Sequence, residues 1–232
     1  MAYIGDNAGF FYAIDIYDGT VYWSRHLGMV TVEDCYDLPH FQWGVTSTAV
    51  FDRSAGIIYV MGGKGVFFAL SMRDGSIAWS LSLVDTAGID PMLLSVYTAL
   101  NLYKGIVYFA LASHCDFGNY QGLIVAVSTT FQSIANLFYP SIGPMGNYYG
   151  GGIWGTGGVA VGTSALFNSI YTATGNTLTE DNDETESANY CNKIVRIRAS
   201  DLHVLAYDSP PRLYWDDDFG SAPLYFNQVV SV

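Results

Sequence analysis

The sequence predicts an all-β protein, a β-propeller built from four-stranded antiparallel blades. Three observations predict it: the composition, an internal repeat and the spacing of the repeated units. Aromatic residues make up 16% of the chain and charged residues only 13%, and there are 25 glycines. This profile is typical of many short strands joined by tight turns. Half of the residues are apolar, which is enough for a sizeable core.

The internal repeat lies in the first 80 residues, where 3–24 match 59–80 without a gap. Within each copy an Asp-Gly pair separates two apolar runs, which predicts two antiparallel strands joined by a tight turn. A tryptophan then closes each unit. The matched pairs are Tyr3/Tyr59, Gly9/Gly65, Ala13/Ala69, Asp18/Asp74, Gly19/Gly75 and Trp23/Trp79.

Two weaker copies follow. The third runs over 106–111 and 122–138, where Ala126 takes the place of Ala69 while the Asp-Gly turn and the tryptophan are lost. The fourth runs over 169–176 and 193–209. A short predicted strand with an alanine precedes the later units, at Ala49, Ala99, Ala160 and Ala222.

Repetition of about four strands every ~40 to 60 residues favours radial sheets around an axis over a sandwich. The predicted units are a partial blade at 1–28, full blades at 43–83, 94–138 and 154–208, and the start of another at 216–232. We therefore expect three full blades and partial ones at both ends of a seven- or eight-bladed ring, whose remainder is missing from this chain. The acidic stretch 179–193 lacks the glycine and final glutamate of an EF-hand and is interpreted as a solvated insertion.

Charge and residue usage exclude several functions. A net charge of −12 with only nine Lys and Arg argues against nucleic acid or an anionic membrane as partner. Gly, Pro, Asn and Gln interrupt the apolar runs before the ~18 residues of a membrane span, and no secretory signal is visible. The three cysteines define neither a disulfide framework nor a CxxC zinc site.

Several motifs resemble a known family. The repeated "YAIDIYDGTVYW" and "FALSMRDGSIAW" resemble the motif of quinoprotein propellers, the pyrroloquinoline quinone (PQQ) dehydrogenases and their non-enzymatic relatives. Four further segments resemble polyvinyl-alcohol-dehydrogenase-like quinoproteins in their order along the chain. They are "SHCDFGNYQG", "GGGIWGTGG", "YTATGNT" and "DDDFGSAP".

The resemblance implies a PQQ- and Ca²⁺-dependent alcohol dehydrogenase-like oxidoreductase. Asp116 and Asn176 would hold Ca²⁺, a hard ion that prefers carboxylate and amide oxygens. Trp154 would stack on the quinone, with Gly155 among the glycines that let a flat ligand approach. Asp216 or Asp218 would be the catalytic base or a further ligand.

Other interpretations of the same residues stay open. Asp116 could be an ordinary loop residue, Asn176 a turn cap, and Trp154 a packing residue between blades like Trp23. The carboxylate at 116 is Asp rather than the Glu of the methanol dehydrogenase branch, and the adjacent cysteine pair of that branch is absent.

The resemblance also implies partners and a compartment. They are an alcohol, an electron acceptor and a periplasmic or secreted setting. The alternative function is a non-catalytic propeller that serves as a protein-binding or assembly scaffold.

Overall fold

A computed structural model of the protein describes most of the chain. The described residues are 1–33, 35–36, 38–113, 115, 118–143, 146–147, 149–163, 168–177, 189–209, 219–226 and 229–231.

The first part of the chain forms a three-stranded sheet and a short connecting unit. Sheet 1 is an antiparallel meander of β1 (Ala2–Gly5), β2 (Phe10–Ile14) and β3 (Val21–His26). A small ladder of β4 (Val30–Thr31) and β5 (Gln42–Trp43) follows, with a 3₁₀ turn at Pro39–Phe41 before β5.

Sheet 2 is a complete four-stranded meander. It contains β6 (Val50–Asp52), β7 (Ile57–Met61), β8 (Val66–Ser71) and β9 (Ile77–Ser82). The short helix α1 (Leu83–Ala87) follows at once. Ser82 caps it by accepting a hydrogen bond from the backbone N–H of Asp85, and Gly88 ends it in the left-handed conformation.

Two further four-stranded meanders follow. Sheet 3 contains β10 (Asn101–Tyr103), β11 (Ile106–Leu111), β12 (Leu123–Ser128) and β13 (Ser133–Phe138). A small hairpin of β14 (Ile142–Gly143) and β15 (Gly146–Asn147) leads towards sheet 4. Sheet 4 contains β16 (Ala160–Thr163), β17 (Asn168–Ala173), β18 (Ile194–Arg198) and β19 (Val204–Asp208).

The last described strands pair as sheet 5, β20 (Leu224–Phe226) with β21 (Val229–Ser231). The first strands of successive sheets lie side by side: β6 contacts β10, β10 contacts β16, and β16 contacts β20. A parallel bridge between Thr48 and Ala99 gives neighbouring sheets the same direction. The prediction of a β-propeller with four-stranded antiparallel blades is confirmed.

Because all sheets point the same way, the molecule has two distinct ends. We call the hairpin end the one with the turn before the last strand of sheets 1 to 4 and, in sheets 2 to 4, the turn between the first two strands. The loop end is the opposite one, with the connections between sheets, the β1–β2 turn of sheet 1 and the connections between the second and third strands of sheets 2 to 4, which are long in sheets 3 and 4. Within the described residues, no helix has the length and apolarity needed to cross a membrane.

The core lies between the sheets. Strand β11 is buried along nearly its whole length because sheets cover both of its faces. Side chains alternate along a strand, so Val107, Phe109 and Leu111 face sheet 2 while Tyr108 and Ala110 face sheet 4. The rings of Phe67 and Phe109 stack with their centroids 5.6 Å apart, which joins sheets 2 and 3.

The turn before the last strand has the same form in sheets 1 to 4. Gly19 and Gly75 take positive φ values of 77° and 68°, as the Asp-Gly motif predicts. In sheets 3 and 4 the same place is held by Gln132 and Leu202, with φ of 54° and 57°. Each donates its backbone N–H to the residue four positions earlier. The prediction that the third copy loses this turn is therefore wrong, because the sheet imposes the conformation without glycine.

Candidate functional site

A glycine-rich segment at the loop end connects sheets 3 and 4. The N–H of Gly150 donates to the carbonyl of Tyr120 at 2.8 Å, and its carbonyl accepts from Gly122 at 2.9 Å. On the other side, the N–H of Gly151 donates to the carbonyl of Asn176 at 2.6 Å, and Gly175 donates to the carbonyl of Gly152 at 2.7 Å. These bonds bring the motifs around 120, 152 and 176 to one place.

This close approach depends on the absence of side chains. A Cβ atom on Gly122 would overlap the carbonyl oxygen of Gly151. Gly151 itself has a φ of +68°, and a Cβ there would lie 2.9 Å from the sulfur of Cys191. Both glycines are therefore needed for the connection.

Trp154 lies at the end of this segment. A Cβ on Gly152 would lie only 2.9 Å from the indole ring of Trp154, so the ring covers the backbone of Gly152. Tyr120 meets the indole edge-on, with centroids 6.5 Å apart and planes at 74°. The indole is half-buried. Its Nε1 atom is buried and has no hydrogen-bond acceptor among the described residues.

Gly155 packs against the segment that leads into β20. A Cβ on Gly155 would lie 2.5 Å from the backbone nitrogen of Ala222. The carbonyl of Gly155 accepts from the N–H of Gly158 at 2.9 Å and so forms a tight turn. The described chain around Ala222 thus lies directly beside the glycine that follows Trp154.

Asn176 is 2% exposed, and its side-chain oxygen is buried. The short connection that carries it is held by 189–193. The Oγ1 of Thr174 donates to the carbonyl of Tyr190 at 2.6 Å, and Asn192 donates its N–H to the carbonyl of Gly175 at 2.8 Å. Backbone bonds therefore hold the chain at Gly175 and Asn176 from two sides.

Solved structures with similar folds match this arrangement of sheets. A quinohemoprotein alcohol dehydrogenase from Comamonas testosteroni matches with a TM-score of 0.67 and 16% identity, over 89% of this chain and 33% of that chain. The chain has the quinoprotein propeller fold. A quinohemoprotein alcohol dehydrogenase from Pseudomonas putida HK5 gives a TM-score of 0.63 at 17% identity, over 98% of this chain and 36% of that chain.

A europium-containing methanol dehydrogenase also shares the quinoprotein fold. Its TM-score is 0.61 at 16% identity, over 91% of this chain and 40% of that chain. This chain therefore spans about a third to two fifths of the length of these dehydrogenases. No protein-family model matches the sequence, and no curated protein matches it either.

Three predicted site residues of this quinoprotein fold lie outside the described residues. They are Asp116, Asp216 and Asp218. The nearest described residues in the sequence are Cys115, which precedes Asp116, and Phe219, which follows Asp218. Trp154, Gly155 and Asn176 are described, and the structure brings them together at the loop end. Within the described residues there is no cluster of three or more His, Cys, Asp or Glu side chains that could hold a metal ion.

A disulfide joins Cys35 to Cys115 across 80 residues of sequence. The expectation that the cysteines define no disulfide framework is therefore wrong for this pair. The pairing arises because the loop before β5 and the loop after β11 meet at the same end of the fold, which spacing in the sequence does not reveal. Cys35 is fully buried beside Val32, Leu38 and Trp43.

Sequence reasoning also missed two residues near the site. Tyr120, 2% exposed, meets Trp154 and forms one wall of a cavity of about 250 Å³ with Asp90, Asn119 and Tyr139. Burial raises the pKa of Tyr139, so its hydroxyl stays protonated. Lys193 is 2% exposed, with its amine 5.5 Å from the ring centre of Tyr207. A buried lysine between two acidic segments gives no recognisable sequence signal.

Proposed function

We propose that this chain is a quinone-binding part of a PQQ- and cation-dependent alcohol dehydrogenase-like oxidoreductase. The observation that carries the proposal is the backbone ladder through Gly150–Gly152. It places Trp154 and Asn176 at one end of a fold shared with quinoprotein dehydrogenases.

The described residues fit a flat quinone. The half-buried indole of Trp154 offers an aromatic surface for it. The space beside Gly152 is filled by the indole itself and that beside Gly155 by Ala222, so these glycines allow close packing of the chain rather than the approach of a ligand. The buried Nε1 atom of Trp154 has no acceptor among the described residues, and a group bound beside it would supply one. Trp154 thus serves as a binding surface, while Trp23 packs against the turn of the next sheet.

The donor chemistry fits a hard cation. Asn176 contributes an amide oxygen, and Asp116, next to the disulfide-bonded Cys115, contributes a carboxylate. Ca²⁺ is the first candidate. A trivalent lanthanide is the second, because a structural neighbour is a europium-containing methanol dehydrogenase.

The bound groups would supply a hydride acceptor and a Lewis acid. The chain's own residues would hold and orient them. Asp216 or Asp218 would take the proton of the alcohol hydroxyl, with the other carboxylate supporting it. In the sequence these carboxylates come shortly before Ser221 and Ala222. Ser221 and Ala222 pack beside Gly155, the residue that follows Trp154.

The substrate is an alcohol, and a polymeric alcohol such as polyvinyl alcohol is the first candidate. The cavity beside Tyr120 supports this class because, among the described residues, carboxylate, amide and phenol groups line it and no Lys or Arg does. Such neutral and acidic groups suit hydroxyl groups better than anions.

The test is alcohol-dependent reduction of an artificial dye by the purified full chain loaded with PQQ and either Ca²⁺ or a lanthanide. We expect turnover that requires both additions and falls at least tenfold in Asn176→Ala and Asp116→Ala. Asn136→Ala is the control, because Asn136 is a half-buried asparagine on β13 whose amide donates to the carbonyl of Ser200, away from the loop end. Folded protein that binds no quinone would contradict the proposal and favour the scaffold function.

A further inference from the structure

A tyrosine and a tryptophan recur together where sheet 1 meets sheet 2, near the hairpin end. Tyr3 and Trp23 are both in register with Ala13, and their ring centroids lie 5.8 Å apart. The hydroxyl of Tyr3 and the indole N–H of Trp23 both donate to the carbonyl of Met72 in sheet 2, each at 3.3 Å. The indole also covers Gly75 of that sheet. The pair therefore fills the junction between the two sheets.

The junction between sheets 2 and 3 has the same pair. Tyr59 and Trp79 are in register with Ala69, and their centroids lie 6.0 Å apart. Both pack against the core between sheets 2 and 3.

The junction between sheets 3 and 4 keeps the tyrosine but not the tryptophan. Tyr108 is in register with Ala126, and its hydroxyl donates to the carbonyl of Ala199 in sheet 4 at 2.7 Å. The residue paired with Ala126 on the next strand is Asn136, in the place of Trp23 and Trp79. Its amide donates to the carbonyl of Ser200 at 3.2 Å. The contact with the next sheet is kept, but the volume of the indole is lost.

A cavity of about 360 Å³ lies at this place. Its floor and walls include Tyr108, Ala126, Asn136 and Tyr103. Burial raises the pKa of Tyr108 to about 12, so its hydroxyl remains a donor to Ala199 throughout the ordinary pH range. The cavity opens to solvent beside Lys104 and Ser200, which are both exposed. The missing ring, beside the small side chains of Ala126 and Ala135, thus leaves a slot with aromatic walls.

The rim of the cavity is positively charged in a strongly acidic chain. Lys104 and Arg198, two of the nine basic residues, line it. Arg198 pairs with Asp201 at 2.7 Å, and the amine of Lys104 lies 5.3 Å from the ring centre of Tyr103. Two cations and one carboxylate leave an excess of positive charge at the opening, which attracts an anionic group.

We propose that this cavity binds a planar aromatic carboxylate of about the size of indole. Its ring occupies the place of the missing tryptophan between Tyr103 and Tyr108, and its carboxylate points to Lys104 and Arg198. The ring gains the stacking and burial that Trp23 and Trp79 gain in the other junctions. The site lies near the hairpin end, away from Trp154 and Asn176, and does not depend on the proposed dehydrogenase function.

The experiment is calorimetric titration of the full chain with indole-3-propionate and with uncharged indole. We expect saturable binding of the carboxylate. In Asn136→Trp the binding falls at least tenfold and the Tm rises, because the indole of the variant fills the cavity. Lys104→Gln weakens indole-3-propionate severalfold and leaves indole unchanged.

A second filling variant keeps the test decisive if Asn136→Trp does not fold. Ala135→Phe fills the cavity from the exposed side of the same strand and should also abolish binding. Lys64→Gln is the control for charge, since Lys64 lies in the turn between β7 and β8 at the loop end. Absence of saturable binding to wild type, or undiminished binding in a folded filling variant, would overturn the proposal.

Discussion

The two ends of the propeller are built by different means. At the hairpin end, each sheet closes itself with bonds between residues close in sequence, such as those from Ser76 to the carboxylate of Asp74. At the loop end, glycine backbones from different sheets bond to each other, and a disulfide joins segments 80 residues apart. The hairpin end can therefore repeat and tolerate change, whereas the candidate site depends on single residues distant in sequence.

The largest expected effect comes from breaking the long-range link at the loop end. The double variant Cys35→Ser with Cys115→Ser should lose about 4 kcal/mol of unfolding free energy, because the closed loop of 80 residues restricts the unfolded chain. Chemical denaturation of both proteins, with and without reductant, measures it. Reductant should destabilise the wild type and leave the double variant unchanged. Equal stability of the two proteins without reductant would contradict the assigned link.

The second prediction compares a glycine that is required by a steric contact with a glycine that is required only by its backbone conformation. Gly122→Ala should cost about 3 kcal/mol, because its Cβ would overlap the carbonyl of Gly151. Gly19→Ala at the hairpin end should cost only about 1 kcal/mol, since nothing lies near its Cβ and only the positive φ is unfavourable. Urea denaturation compares the two. If Gly19→Ala were the more damaging change, the contrast between the ends would be wrong.

A smaller change should stabilise the protein. Gln132 holds the left-handed turn position that glycine holds in sheets 1 and 2. Gln132→Gly should therefore raise the unfolding free energy by about 0.5 kcal/mol, the strain relieved exceeding the entropy cost of glycine. The same change at Leu202 should not help, because that side chain is buried in the core next to sheet 3. A loss of stability in Gln132→Gly would show that the turn is not strained.

The smallest effect is the acid dependence of the turn at Asp74. Bonds from the side chain and then the backbone of Ser76 lower the pKa of Asp74 from 3.8 to about 2. Because the folded pKa is the lower one, this carboxylate stabilises the fold above pH 3.8, and the contribution is lost as the pH falls from 3.8 to about 2. Across that window the Tm of Asp74→Asn should fall less than that of the wild type, as a series of thermal melts would measure. An equal fall in both proteins would contradict the assignment.

The hairpin end could largely be predicted from the sequence, whereas the loop end could not. Asp18-Gly19 and Asp74-Gly75 have a local cause, so the hairpins and the blade unit could be predicted from residues alone. The turn at Gln132 could not, because the pairing of β12 with β13 imposes it. The Cys35–Cys115 link and the bonds of Gly151 to Asn176 depend on which loops meet, and no local pattern encodes that. Trp154 and Asn176 were found through motif resemblance. Tyr120, which lies between them and the neighbouring cavity, was not.

The most direct test of the central claim is binding of PQQ itself in the presence of Ca²⁺, followed by difference absorbance on the full chain. We predict saturable binding that weakens at least tenfold in Trp154→Ala and in Asn176→Ala. Binding should stay unchanged in Trp23→Phe and Asn136→Ala, which alter a tryptophan and an asparagine away from the loop end. If wild type does not bind the quinone, or if site and control variants bind alike, the loop end is not a quinone site.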